Sequence, residues 1–146
     1  MYLLDTCVLS YLGPSQTSPD PAIRAWLRQH GERCSLSVVS MTEIAYGIAW
    51  LRHRGAAARA SRLQSWYHEI ANFHAERIFP IDLDIAARGG VLMARARAAG
   101  YEPSAEDAWI AATAEVHGLE VLTFNMSDFG PMAVTCRNPL TDLPTG

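Results

Sequence analysis

Four acidic residues could do chemistry together if the fold brings them to one place. Asp5 and Glu43 each follow a short apolar segment, Asp107 lies at the start of a helical pattern, and Asp128 follows a third apolar segment. Clustered carboxylates repel one another unless cations neutralise them, and hard oxygen ligands select Mg²⁺ or Mn²⁺ over zinc. Such a cluster supports metal-assisted phosphodiester hydrolysis, in which ions about 4 Å apart activate water and stabilise the leaving oxygen.

Each acid taken alone also has a structural interpretation. Asp5 could cap the helix that follows it, hold a cation or act as a nucleophile. The segment Ser40-Met41-Thr42-Glu43 matches a capping box and predicts a helix with its N-cap at Ser40. Asp107 stands three residues after a serine in a similar arrangement. Only the four acids together favour the metal site.

The elements that must position these acids alternate between strands and helices. Apolar segments predict strands at residues 2–5, 33–39, 77–81, 119–124 and 134–136. Helical spacing predicts helices at residues 8–12, 21–30, 40–55, 56–73, 82–100 and 105–117. Within residues 82–100, Gly89-Gly90 weakens the helix but allows close packing. This alternation predicts a parallel sheet, and right-handed crossovers bring the carboxyl ends of its strands to one edge, where ligands bind.

Length and composition predict one domain. The chain has 146 residues and 49% hydrophobic content, enough for a single core, with residues 139–146 as a polar tail and residues 13–21 as a loop rich in Pro, Ser and Gly. It contains no apolar run of roughly 20 residues and no basic N-terminal region, so we expect a cytoplasmic protein without membrane association. Three cysteines without C-x-x-C spacing argue against a disulfide framework and structural zinc.

The charge of the chain is unevenly distributed. The net charge is −3, but residues 1–97 contain 11 arginines and 8 acids, whereas residues 98–146 contain 1 arginine and 7 acids. All basic residues are arginine, which suits phosphate contacts but is also typical of a GC-rich genome. Arg52, Arg54, Arg59 and Arg62 could form a basic ridge facing RNA or simply a solvated surface.

Three segments carry a family resemblance: residues 2–10 (YLLDTCVLS), 37–48 (SVVSMTEIAYGI) and 107–129 (DAWIAATAEVHGLEVLTFNMSDF). In this order they resemble the motif blocks of PIN-domain ribonucleases, and more narrowly those of the VapC toxins of toxin-antitoxin pairs. The similarity extends over nearly the whole chain. The three blocks together are specific, whereas any one of them would be weak.

The resemblance implies an α/β, PIN-like three-layer fold in which a central parallel sheet is flanked by helices. It also implies an Mg²⁺-dependent endoribonuclease, with Mn²⁺ able to substitute, that cleaves single-stranded RNA by a metal-activated water. A homodimer and a cognate antitoxin are further implications. The metal-binding, catalytic acids map to Asp5, Glu43, Asp107 and Asp128. Supporting polar positions map to Thr6, Thr123 and Asn125.

Two positions depart from the family pattern. Cys7 stands where the family usually has Asn, and Phe124 stands where many members carry Arg. The first change removes an amide near the site, and the second removes a possible phosphate contact. Because neither alters the four acids, we expect activity to be retained, with an altered rate or substrate preference.

Two alternative functions compete with the ribonuclease. One is a non-catalytic PIN-like module that binds RNA or a protein. The other is a phosphohydrolase with Asp5 as its nucleophile, although haloacid-dehalogenase-like enzymes would have a second Asp at the position of Cys7 and a downstream Lys, which this chain lacks.

Overall fold

A parallel sheet lies at the centre of the computed structural model, which describes residues 1–14 and 20–145. Its strands are β1 (Tyr2–Leu4), β2 (Cys34–Ser37), β3 (Ile78–Phe79), β4 (Glu120–Leu122) and β5 (Cys136–Arg137). Their order across the sheet is β3-β2-β1-β4-β5, and every neighbouring pair is parallel. The strand nearest the N-terminus is therefore central, with β2 and β4 on either side.

Helices cover both faces of this sheet. They are α1 (Thr6–Leu9), α2 (Pro21–Gln29), α3 (Val38–His53), α4 (Ala57–Phe73), α5 (Leu83–Ala98), α6 (Ala105–Val116) and α7 (Met126–Phe129). Successive side chains of a strand point to opposite faces. Leu4 and Leu122 accordingly pack into one hydrophobic cluster with α1–α4, and Leu3 and Val121 pack into a second with α5 and α6. The expected three-layer α/β fold is confirmed.

The start of α3 differs from the predicted capping box, which is wrong. The helix begins at Val38, and Ser37 is its N-cap, with its side chain accepting a hydrogen bond from the N–H of Val39. Strand β2 ends at Ser37 in extended conformation, so the chain turns directly into the helix. Ser40 is buried inside α3, and its hydroxyl has no partner among the described residues. Glu43 therefore lies in the second turn, where it is free of any capping role.

Three other helices begin at a side-chain cap. Asp20, Asp82 and Ser104 each accept a hydrogen bond from a backbone N–H in the first turn of α2, α5 and α6, and the cap at Ser104 is the one predicted before Asp107. The strands are shorter than predicted, and the last one lies at Cys136–Arg137 rather than at residues 134–136. Part of the predicted loop, residues 15–19, and the last residue of the tail lie outside the described residues. Within the described ranges, no helix is both long and apolar enough to cross a bilayer.

Candidate active site

Asp5 lies at the carboxyl end of the central strand, and its carboxylate is held by three donors. Oδ1 accepts from the N–H of Thr6 at 2.7 Å. Oδ2 accepts from the hydroxyl of Thr123 at 2.8 Å and from the thiol of Cys7 at 3.0 Å. The residue is only 6% exposed. Asp5 thus caps α1, as one interpretation predicted, while its fixed carboxylate faces the edge of the sheet where ligands bind.

Glu43 reaches the same region from α3. Its Oε2 accepts a hydrogen bond from the hydroxyl of Thr6, which connects the second turn of α3 to the first turn of α1. The Glu43 side chain is otherwise exposed to solvent. Thr6 therefore contacts two of the predicted acids, through its backbone N–H to Asp5 and through its hydroxyl to Glu43.

The pKa of Asp107 indicates that the four predicted acids lie near one another. It is half-buried in the first turn of α6, where its N–H donates to the hydroxyl of Ser104 at 3.1 Å. The pKa of its carboxyl group is raised, first by burial and then by the negative charges of Asp5, Asp128 and Glu43. The residues that sequence analysis selected from three separate segments are therefore close enough to oppose the ionisation of one carboxyl group.

Asp128 lies in α7, a short helix that sequence analysis did not predict. Its Oδ1 accepts a hydrogen bond from the hydroxyl of Tyr101 at 2.8 Å. The pKa of Tyr101 is raised, mainly by this bond, then by burial and by the charges of Asp128 and Asp107. Tyr101 is thus a site residue that sequence analysis missed. The available signal was a tyrosine in the loop directly before α6.

Thr123, Cys7 and Asn125 differ in how they support Asp5. Thr123 is fully buried, and its hydroxyl both donates to Asp5 and accepts from the N–H of Asn125 at 3.0 Å. Asn125 joins this network through its backbone, since its side chain makes no hydrogen bond with the described residues. The Cys7 sulfur accepts from the N–H of Phe124 at 3.4 Å. Burial and then the charge of Asp5 raise the pKa of the Cys7 thiol to about 12, so it remains a neutral donor at ordinary pH.

The donor set fits a hard divalent cation in its chemistry. None of the four acids forms an ion pair with an arginine or histidine in residues 1–14 and 20–145, so their mutual repulsion has no compensating charge there. In the same residues, no three acidic, histidine or cysteine side chains converge closely enough to hold one ion. The four carboxylates are therefore close enough to influence one another but do not converge on a single coordination point in this part of the chain.

Comparisons with known proteins give a family match and several relatives. A family model described as "PIN domain" matches residues 2–129. VapC ribonuclease Y4jK of Sinorhizobium fredii is 34% identical over 141 residues, which cover 95% of this chain and 97% of that protein. Toxin FitB of Neisseria gonorrhoeae is 33% identical over 144 residues, or 97% of this chain and 100% of that protein.

Solved structures are similar over the same length. The crystal structure of FitAcB from Neisseria gonorrhoeae contains a chain with a TM-score of 0.85 and 32% identity, covering 96% of this chain and 99% of that chain. A chain in the crystal structure of DNA-bound VapBC from Salmonella typhimurium has a TM-score of 0.74 at 19% identity and supports the fold alone.

Proposed function

The chain belongs to the PIN domain family, and from this premise we propose that it is a metal-dependent endoribonuclease and the toxin of a toxin-antitoxin pair. One observation carries the proposal: Asp5, Glu43, Asp107 and Asp128 lie close enough together that, in addition to burial, the charges of the other three raise the pKa of Asp107. An uncompensated cluster of carboxylates at the carboxyl edge of a parallel sheet is suited to hard cations and to the phosphodiester chemistry that they assist. The similarity to proteins named as a ribonuclease and a toxin supports the same conclusion.

The four acids would hold Mg²⁺, with Mn²⁺ able to substitute. When bound, such ions supply the Lewis acidity that activates water and stabilises the leaving oxygen. Asp5 provides a carboxylate whose position is fixed by three donors. Thr6 orients Glu43, and Tyr101 orients Asp128. These hydrogen bonds hold the candidate ligands in their approximate positions before any ion arrives, which reduces the rearrangement that binding requires.

We also propose a homodimer and a cognate antitoxin as partners. The antitoxin is supported by the similarity to the toxin FitB and to a chain of the FitAcB structure. The large apolar side chains of α4 do not support a dimer, because Trp66 and Ile70 are buried in the hydrophobic cluster of a single chain. These two side chains are therefore not available for a contact between copies.

The test is cleavage of labelled RNAs, including transfer and ribosomal RNA, by the purified, partner-free chain in Mg²⁺, Mn²⁺ or EDTA. We expect cleavage that needs the metal and is lost in Asp5→Asn and Asp107→Asn. Asp84→Asn is a matched control, because Asp84 lies in the first turn of α5 as Asp107 lies in the first turn of α6, but it is exposed and is not one of the four acids. It should cleave at the native rate.

A negative result also has a defined meaning. If the folded chain binds metal but cuts no RNA in this panel, the nuclease proposal is wrong and the chain is a non-catalytic PIN-like module. If cleavage continues in EDTA but is still lost in Asp5→Asn, the metal is not required, and the alternative with Asp5 as nucleophile gains support.

A further inference from the structure

A groove of about 380 Å³ leads away from the candidate active site between α1, α3 and α4. Thr6 and Glu43 lie at one end, Gly47 and Trp50 line its side on α3, and Arg59 of α4 contributes to the opposite wall. A helix rises about 1.5 Å per residue, so Glu43 and Trp50 are separated by roughly 10 Å along α3. The groove thus connects the acids to an aromatic ring and a cation.

The α3 wall of the groove combines an exposed ring with open space. The Trp50 side chain is 49% exposed, and its ring stacks on His53 with ring centroids 6.0 Å apart and an angle of 23° between the planes. Gly47, one turn earlier, also lines the groove, and a Cβ atom added there would meet nothing within 4 Å. A larger side chain at this position would therefore occupy groove space rather than disturb the core.

The charge on the helical hairpin around the groove is positive. Residues 44–68, which run from α3 into α4, contain four arginines and no acidic residue. Arg59 is exposed and forms no ion pair with the rest of the described chain. The groove thus has the acids at its start and an available cation on its far wall.

We propose that this groove is the path of single-stranded RNA, with Trp50 stacking on a base and Arg59 binding a phosphate near the bond that is cut. The inference rests on the proposed function, which locates the bond to be cut at the four acids. Proteins that bind single strands combine a positive groove with aromatic platforms for the bases. A protein segment packed on the apolar part of the lining, which includes Ile44, Ile48 and Leu63, is the alternative outcome that the experiment separates.

The experiment measures the Kd of a labelled single-stranded RNA by fluorescence anisotropy. The full chain carries Asp107→Asn to prevent cleavage, and Mg²⁺ is present. Loss of one stacked base corresponds to a Kd about 5- to 140-fold higher, so Trp50→Ala should weaken binding by that factor and Trp50→Phe should recover most of it. Gly47→Leu should also weaken binding, because its side chain fills the groove.

Arg59 is tested by the salt dependence of binding. Arg59→Ala should reduce the slope of log Kd against log salt by about 0.7, the value for one phosphate contact on a single strand. Arg62→Ala is the matched control, because Arg62 is an exposed arginine of the same helix that does not line the groove. It should leave both the Kd and the slope unchanged.

The inference is overturned if Trp50→Ala and Gly47→Leu bind RNA as tightly as the parent chain. It also fails if these variants leave the RNA Kd unchanged but alter the oligomer size in sedimentation, which would make the groove a protein interface. If the Asp107→Asn parent binds RNA through the groove but the wild-type chain cuts no RNA, the nuclease proposal is refuted and this inference is supported. Native-rate cleavage by the groove variants on the wild-type background would refute only the inference.

Discussion

The hydroxyl of Thr123 can be removed with little change in side-chain shape by substitution with valine. Loss of its 2.8 Å hydrogen bond to the carboxylate of Asp5 costs about 1.5–3 kcal/mol. The N–H of Asn125 also loses its acceptor, but this residue is exposed and can bond to water instead. The methyl group that replaces the hydroxyl stabilises the folded state by about 0.8 kcal/mol when it is buried. We therefore expect Thr123→Val to lower the free energy of unfolding in EDTA by about 1–2 kcal/mol.

The effect of Thr123→Val on metal binding should be larger than its effect on stability. Removal of a group that orients a metal ligand typically costs 10- to 100-fold in affinity, so we expect Mn²⁺ to bind about 10- to 100-fold more weakly. Thr123→Ser is the matched control, because it keeps the hydroxyl and loses only a methyl group. Its loss of stability should be about 1 kcal/mol, with nearly native affinity for Mn²⁺.

Urea unfolding in EDTA measures the stability of the two variants, and calorimetric titration with Mn²⁺ measures their affinity. If the valine and serine variants bind Mn²⁺ equally well, Thr123 does not support a metal ligand and the reasoning is refuted. If the two variants bind Mn²⁺ equally well but Thr123→Val is the less stable, the hydroxyl of Thr123 contributes to folding only.

Five further substitutions test other parts of the structure. Asp107→Asn should raise the thermal midpoint of unfolding in EDTA, because burial and the neighbouring acids oppose its charged form; an unchanged midpoint would contradict this. Cys7→Asn should retain cleavage with a changed rate or changed cut sites, and the role assigned to Cys7 is wrong if cleavage and Mn²⁺ affinity are both native. In urea unfolding, Gly90→Ala should stabilise by about 0.5–1 kcal/mol, whereas Gly89→Ala should gain less because its methyl group would lie 3.1 Å from an indole carbon. Burial lowers the pKa of His74 from 6.5, so the unfolded chain binds a proton at a higher pH than the folded chain does. The free energy of unfolding should therefore decline below about pH 6.5, until the pH passes the lower pKa of the folded state. The decline should be less steep in His74→Gln.

The sheet and the grouping of the acids could be predicted because both follow from chain order. Alternating strands and helices imply parallel pairing, and Asp5 and Glu43 follow strands that prove to be neighbours. The hydrogen bond from Thr123 to Asp5 exists because β1 and β4 are also neighbours. No local sequence pattern predicts the order of the strands across the sheet. The resemblance to PIN domains supplied the expectation of the fold, and the structure confirms it.

Local patterns were less successful where distant contacts decide the outcome. The helix start at Val38 depends on where β2 stops pairing with its neighbours, which the capping-box residues do not encode. Tyr101 meets Asp128 from 27 positions away, so nothing in its own segment indicated a site residue. The predicted close packing at the glycine pair applies to Gly89, which faces the indole of Trp109 on α6.

The central position of β1 has a consequence for the chain during its synthesis. Thr123, which donates to the carboxylate of Asp5, is made 118 positions after it. At about 5–20 residues per second, roughly 6–24 s separate these two residues on the ribosome. Until then, β1 has no β4 on one side and Asp5 lacks one of its three donors. Copies left unfinished before β4 therefore contain Asp5, Glu43 and Asp107 without the framework that assembles them.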